Sequence, residues 1–215
     1  MYLLHQNSLE FPDPTLANKD DILAIGGDLS TKRLMNAYTN GIFPWYNENE
    51  PIIWYSPAWR MVLNPKEYKP SKSLKQTLKK DIFKVTFNQS FKEVIAHCKN
   101  IERNDGLGTW ITDDMQNAYI KLHELGIARS VEVWKDNHLV GGLYGIDLGM
   151  GHVFCGESMF SKVSNASKVA FAWLNTYLAK NNYQLLDCQV YNEHLESLGA
   201  YEIPRQEFLH ILQKN

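Results

Sequence analysis

The chain is poor in the features that mark an oxidising compartment, a membrane or a bound metal. It holds three cysteines, Cys98, Cys155 and Cys188, odd in number and far apart, with no CxxC pair. Neither a disulfide framework nor a thiolate zinc site is therefore supported, and small buried thiols are expected. No stretch approaches the roughly 20 apolar residues that cross a bilayer. The start, Met1-Tyr2-Leu3-Leu4-His5-Gln6, lacks the cationic lead and apolar core of a signal peptide. The expectation is a cytoplasmic protein without membrane contact. Charge is nearly balanced, 22 Lys and Arg against 24 Asp and Glu. The total does not announce nucleic acid, although a local basic patch is enough to meet phosphates. Internal repeats and low-complexity segments are absent.

What is present fits a globular α+β chain. Its 215 residues, 44% of them hydrophobic, suffice for one good core or for a small and a larger domain. Residues 1–62 are rich in turn formers and aromatics, with one helix capped by Ser30 and stopped by Gly41. The stretch Asn64–Pro70, with two prolines and two lysines, is the expected junction. That divides the chain into a small N-terminal α/β domain, 1–62, and a larger domain, 63–215. The larger part reads as a basic helix Ser73–Lys80, a strand Phe83–Phe87, and helices Phe91–Lys99 and Asp113–Leu125. A strand meander through 130–134, 139–146 and 152–155 follows, then a helix Asn165–Lys180 with an apolar stripe, a strand ending in Asp187-Cys188-Gln189, and a closing helix Arg205–Leu212. Meander, helix, strand is the order of GNAT-type acyltransferases. A mixed, mostly antiparallel sheet flanked by helices is therefore expected.

Two polar sites stand at the ends of apolar strands. Leu185-Leu186 runs into Asp187-Cys188-Gln189, where the period of two puts a carboxylate and a carboxamide on one face. Val153-Phe154-Cys155 opens into Gly156-Glu157-Ser158-Met159-Phe160. Polar groups in apolar surroundings cost free energy unless paired, which suggests a site. Spacing alone fits equally well a pair that only hydrogen-bonds loop backbone. Other signals fade on inspection. His123-Glu124-Leu125-Gly126 is followed by Ile127 where a zinc protease needs its second histidine. Gly141-Gly142-Leu143-Tyr144-Gly145 lies among strands and reads as close packing. Cys188 has no base in reach of sequence reasoning. The segment Ser161–Lys168 contains no glycine, so a turn that brings backbone amides to the coenzyme A pyrophosphate is missing.

A set of ordered motifs then resembles the leucyl/phenylalanyl-tRNA-protein transferase family: Leu23–Ser30, Gly41-Ile42-Phe43-Pro44-Trp45, Trp54-Tyr55-Ser56-Pro57, Thr109-Trp110-Ile111, Leu122–Gly126, Gly156–Ser161, Asp187-Cys188-Gln189 and Ser197–Ala200. They span nearly the whole chain. Two departures are a Tyr at position 55, where the family often has Trp, and a short tail after Leu212. The resemblance implies transfer of Leu or Phe, and less readily Met, from aminoacyl-tRNA to the α-amino group of proteins that begin with Arg or Lys, which creates an N-degron. An aminoacyl ester is already activated, so no cofactor, ATP or metal is needed. Orientation of the reactants is then the main source of acceleration, about 7 to 11 kcal/mol in the best intramolecular reactions.

The resemblance also assigns residues. Phe154, Met159, Phe171, Leu174, Leu178 and Leu186 match the aminoacyl side-chain pocket, though helix stripes equally serve as core. Trp45 and Trp110 match positions that contact the 3′-adenosine. Lys72, Lys75, Lys79 and Lys80, on the basic helix, are candidates for tRNA phosphates or simply a solvated face. Glu157 and Asp187 suit a cationic acceptor and its amine. The family gives Gln189 the amine's proton with Asp187 behind it. A carboxamide is a weak base, so alignment of the amine or support of the oxyanion are alternatives. Asn192 lies close enough in sequence to join this network. The rivals are a coenzyme A-dependent N-acetyltransferase, a non-catalytic tRNA-binding module, and the bridge-forming aminoacyl transferases of peptidoglycan synthesis.

Overall fold

The computed structural model describes residues 2–100, 110–149 and 152–214; Thr109 of the Thr109-Trp110-Ile111 motif lies outside them. The N-terminal unit comprises β1 (Tyr2–Leu4), β2 (Ile22–Gly26), α1 (Thr31–Thr39), β3 (Phe43–Pro44) and β4 (Ile53–Tyr55), with sheet order β1-β2-β4-β3. The hydroxyl of Ser30 accepts the Arg33 N–H at the start of α1, and Gly41 turns the chain out of the helix at φ +72°, a backbone state that favours glycine.

β5 (Trp59–Leu63) leaves this unit and joins a second sheet, so the junction expected at 62–63 falls inside a strand. α2 (Lys72–Lys79), β6 (Lys84–Phe87), α3 (Phe91–Asn100), α4 (Asp113–Glu124), β7 (Ala128–Lys135), β8 (His138–Asp147) and β9 (Val153–Ser161) follow. α5 (Ala166–Lys180), β10 (Leu185–Gln189), α6 (Glu193–Ser197), β11 (Tyr201–Pro204) and α7 (Arg205–Gln213) complete the fold. The seven-stranded order is β11-β5-β10-β9-β8-β7-β6. Only β9 and β10 pair in parallel; the other neighbours are antiparallel. This is the mixed α+β sheet with meander, helix and strand that the sequence leads one to expect. The β7–β8 hairpin closes on Asp136-Asn137 with φ of 50° and 61°, the left-handed pair that a two-residue turn requires.

Side chains alternate across β8: Tyr144 and Ile146 join a core with α3 and α4, whereas Leu143 faces α5. The first core also takes in Leu34, Tyr38, Phe43 and Trp54 from the N-terminal unit and Phe208 from α7, so packing is continuous across the expected junction. The glycines of β8 answer to close approach. A Cβ on Gly141 would meet that of Ala166 at 2.5 Å, and one on Gly145 would meet the Cys155 carbonyl oxygen at 2.3 Å. Among the described residues no helix is long and apolar enough to cross a membrane.

Candidate active site

Two register shifts open the site. β9 and β10 run paired as far as Cys155 and Asp187. Against β8 the pairing jumps from Gly145↔Gly156 to Tyr144↔Ser158, which leaves Glu157 as the extra residue. Against β5 it jumps from Asp187↔Val62 to Gln189↔Met61, which leaves Cys188 over. Bulges of this kind redirect side chains and end pairing. The strand expected to stop at Cys155 therefore runs on to Ser161, and Glu157 sits within it. Gln189 itself has φ +66°, a left-handed state that costs a side-chain-bearing residue about 1–3 kcal/mol unless its surroundings enforce it. Simple alternation does not describe Asp187 and Gln189.

Asp187 is fully buried. Its carboxylate accepts Arg60 Nε at 2.8 Å and Nη2 at 2.7 Å, and Oδ1 also accepts the Gln189 backbone N–H at 2.9 Å. The expectation that Asp187 meets a cationic acceptor is thus corrected. Its carboxylate is already paired with a bidentate guanidinium, and its hydrogen bond toward the site is the one it accepts from the Gln189 backbone N–H.

Glu157 is the half-buried end of this arrangement. Its Oε1 accepts Tyr38 Oη and Gln189 Nε2, both at 2.8 Å, and its Oε2 accepts Tyr119 Oη at 3.1 Å. The Tyr38 and Tyr119 hydroxyls also bond each other. Burial pushes Glu157 up to about 7, opposed by the bonds from Tyr38, Tyr119 and Gln189 and helped by the Asp187 charge. Burial, and after it the Glu157 charge, pushes both tyrosines well up, so they remain hydroxyls. Burial likewise raises the Cys155 and Cys188 thiols, which are poor nucleophiles in consequence.

Two cavities meet at Glu157 and Gln189. One, of about 300 Å³, has Leu143, Met159, Phe171, Leu174 and Leu186 on its walls. The other, of about 310 Å³, is lined by Phe43, Trp45, Trp110, Tyr191 and Leu195. Trp110, Glu157, Cys188, Gln189, Asn192 and Leu195 belong to both. Of the expected apolar pocket, Met159, Phe171, Leu174 and Leu186 are on the wall, whereas Phe154 and Leu178 are packed in the core and line neither cavity. Asn192 lines both cavities, but its Oδ1 accepts the His194 and Leu195 N–H groups and caps α6 instead of joining Gln189. Lys72, Lys75, Lys79 and Lys80 are exposed on or just beyond α2 and line neither cavity. Among the described residues no group of three His, Cys, Asp or Glu converges as a metal site.

Sequence reasoning passed over Arg60, Tyr38 and Tyr119. Arg60 carried a usable signal, a charge inside the apolar strand Trp59–Leu63, which must find a partner if buried. The two tyrosines carried none, since each sits in an apolar helical stripe.

Known proteins place this geometry in a family. The leucyl/phenylalanyl-tRNA protein transferase family model matches residues 62–213, and the model of that family's N-terminal domain matches 27–58. The leucyl/phenylalanyl-tRNA–protein transferase of Flavobacterium johnsoniae is 61% identical over 99% of both chains. That of Flavobacterium psychrophilum is 58% identical over 100% of both, and that of Thermodesulfovibrio yellowstonii is 53% identical over 99% of this chain and 86% of its own. The crystal structure of FemX shares the fold at a TM-score of 0.51, with 12% identity over 84% of this chain and 70% of that one. The chain accordingly belongs to the leucyl/phenylalanyl-tRNA-protein transferase family and is an aminoacyltransferase.

Proposed function

We propose that the chain moves Leu or Phe, and less readily Met, from aminoacyl-tRNA onto the α-amino group of proteins beginning with Arg or Lys, and so creates an N-degron. The observation that carries this reading is the junction of a largely apolar cavity and an aromatic cleft at one carboxyl–carboxamide pair. The aminoacyl side chain enters among Met159, Phe171, Leu174 and Leu186. The terminal adenine stacks on Trp45 and Trp110, a contact worth about 1–3 kcal/mol that ignores sequence elsewhere in the tRNA. The ester carbonyl then lies beside Glu157 and Gln189.

The acceptor enters as an ammonium, whose pKa near 8 is within about one unit of Glu157, so proton transfer between them is nearly thermoneutral. The freed amine attacks the ester carbonyl carbon and the C–N bond forms. The bond to the ribose 3′-oxygen breaks, and that oxygen leaves with the second proton shed by the attacking amine, while Glu157 releases the first proton to water. Gln189 donates its NH₂ to Glu157, which turns its carboxamide oxygen into an acceptor for the incoming amine. The ionised Glu157 also attracts the cationic side chain of Arg or Lys.

Support against the coenzyme A rival comes from the start of α5. There the Ala166 N–H is taken by the Val163 carbonyl and the Ser167 N–H by the Ser161 hydroxyl, so two amides that would meet a pyrophosphate are occupied. The test is incubation with labelled Phe-tRNA and two peptides that differ only in a first residue of Arg or Ala, with an acetyl-CoA arm in parallel. Label on the Arg peptide alone is expected. Acetylation, or tRNA binding without transfer, overturns the reading.

A further inference from the structure

The transfer step uses Glu157 and Gln189 but gives no task to the guanidinium beneath them. Arg60 is 2% exposed, in a strand whose next residues are Met61, Val62 and Leu63. A cation in such a place is costly unless every donor is met. Beyond its two bonds to Asp187, its Nη1 donates to the Gly41 carbonyl at 3.2 Å, and the rings of Phe43 and Phe208 each lie 4.7 Å from its central carbon. Three separate parts of the chain thus close on one side chain. The Asp187 oxygen that binds Arg60 Nε also accepts the Gln189 N–H, across the extra residue Cys188. Beyond that bond stands the left-handed backbone of Gln189, and beyond it the carboxamide on Glu157.

We propose that Arg60 is a positioning residue for aminoacyl transfer: through Asp187 it locks Gln189 in its left-handed conformation and holds the carboxamide against Glu157. The anchorage on Gly41 and Phe43 makes that lock depend on the N-terminal unit, and Phe208 makes it depend on α7. Both Asp187 oxygens are engaged, so Asp187 orients and does not carry the amine's proton. Lysine cannot replace the guanidinium, because a point charge lacks the planar fork that meets both carboxylate oxygens. This inference rests on the transferase reading of the same site.

The test compares wild type with Arg60→Lys and with the double variant Arg60→Met/Asp187→Leu, which removes both buried charges and leaves no unpaired ion. Thermal midpoint, kcat and KM for the Arg peptide, and the pH profile of kcat are measured. Expected for the double variant is a near-normal midpoint with kcat lowered by about 10²-fold or more, as for a displaced reacting group, and KM little changed. The pH profile is read in Arg60→Lys, where the Asp187 charge stays. Glu157 faces Tyr38 on α1, Tyr119 on α4, and Asp187 and Gln189 on β10. Loss of the Gln189 bond alone favours its neutral form, so the acid limb moves to higher pH.

A purely structural Arg60 would lower the midpoint and leave kcat and the limb in place, and that result overturns the proposal. So does a double variant with normal kcat. The lock is also read without substrate, from the NMR signals of the Gln189 side-chain amide. They are expected to be single and distinct in wild type and averaged in Arg60→Lys; unchanged signals refute the lock. If wild type shows the distinct signals yet transfers nothing to the Arg peptide, the lock stands and the acceptor reading falls.

Discussion

Removing one hydroxyl should move the working pH of the enzyme. Tyr38→Phe deletes the oxygen that donates to Glu157 at 2.8 Å and leaves the buried ring in place. A hydrogen bond to a charged group is worth about 1.5–3 kcal/mol net, and one pKa unit corresponds to about 1.4 kcal/mol, so the carboxyl rises by about one to two units above its value of about 7. At pH 7 its ionised share then falls from about a half to between roughly a tenth and a hundredth. If Glu157 accepts the ammonium proton, kcat falls with that share, about 5- to 50-fold, and recovers as the pH is raised to about 9. The assay is single-turnover transfer from labelled Phe-tRNA at saturating Arg peptide across the pH range, corrected for spontaneous ester hydrolysis. An unmoved acid limb, or a deficit that persists at high pH, would refute the assignment of the proton to Glu157.

The same carboxyl shapes stability. Its folded pKa, about 7, lies above its unfolded value near 4.5. The contribution is therefore full below about pH 4.5 and is lost as pH rises through 7, by about 3 kcal/mol at most. Urea unfolding should show this decline in wild type and a flatter line in Glu157→Gln. Phe171→Ala and Leu178→Ala should each cost a few kcal/mol, about 3–5 and 2–5 respectively. Only Phe171→Ala should change the Leu-to-Phe donor ratio, because Leu178 is off the cavity wall; a changed ratio in Leu178→Ala would count against the cavity assignment. Trp45 is 39% exposed, so Trp45→Ala should leave the thermal midpoint nearly unchanged. It should raise KM for aminoacyl-tRNA about 5- to 150-fold, the loss of about 1–3 kcal/mol of stacking.

Local physics made much of this fold legible. Ser30 and Gly41 bracket α1, the alternation of 130–134 marks β7, and the order of meander, helix and strand predicts the mixed sheet. What stayed hidden lies where one residue is inserted or where partners are far apart. An extra residue at Glu157 or Cys188 leaves no trace in composition, yet it decides which way each side chain points. Arg60 and Asp187 are 127 residues apart, and Tyr38 and Tyr119 are 81 apart. Nothing local in a strand or an apolar stripe tells a core tyrosine from one that holds a carboxyl. Phe154 and Leu178 show the converse, since their apolar character fits cavity and core alike and only packing separates them.

The most direct test of the two-cavity account is a crystal structure with a non-hydrolysable amide analogue of 3′-phenylalanyl-adenosine. The account predicts the phenyl ring among Met159, Phe171, Leu174 and Leu186, the adenine against Trp45 and Trp110, and the carbonyl within hydrogen-bonding reach of the Glu157–Gln189 pair. An adenine or phenyl ring bound elsewhere, with that junction empty, would contradict it.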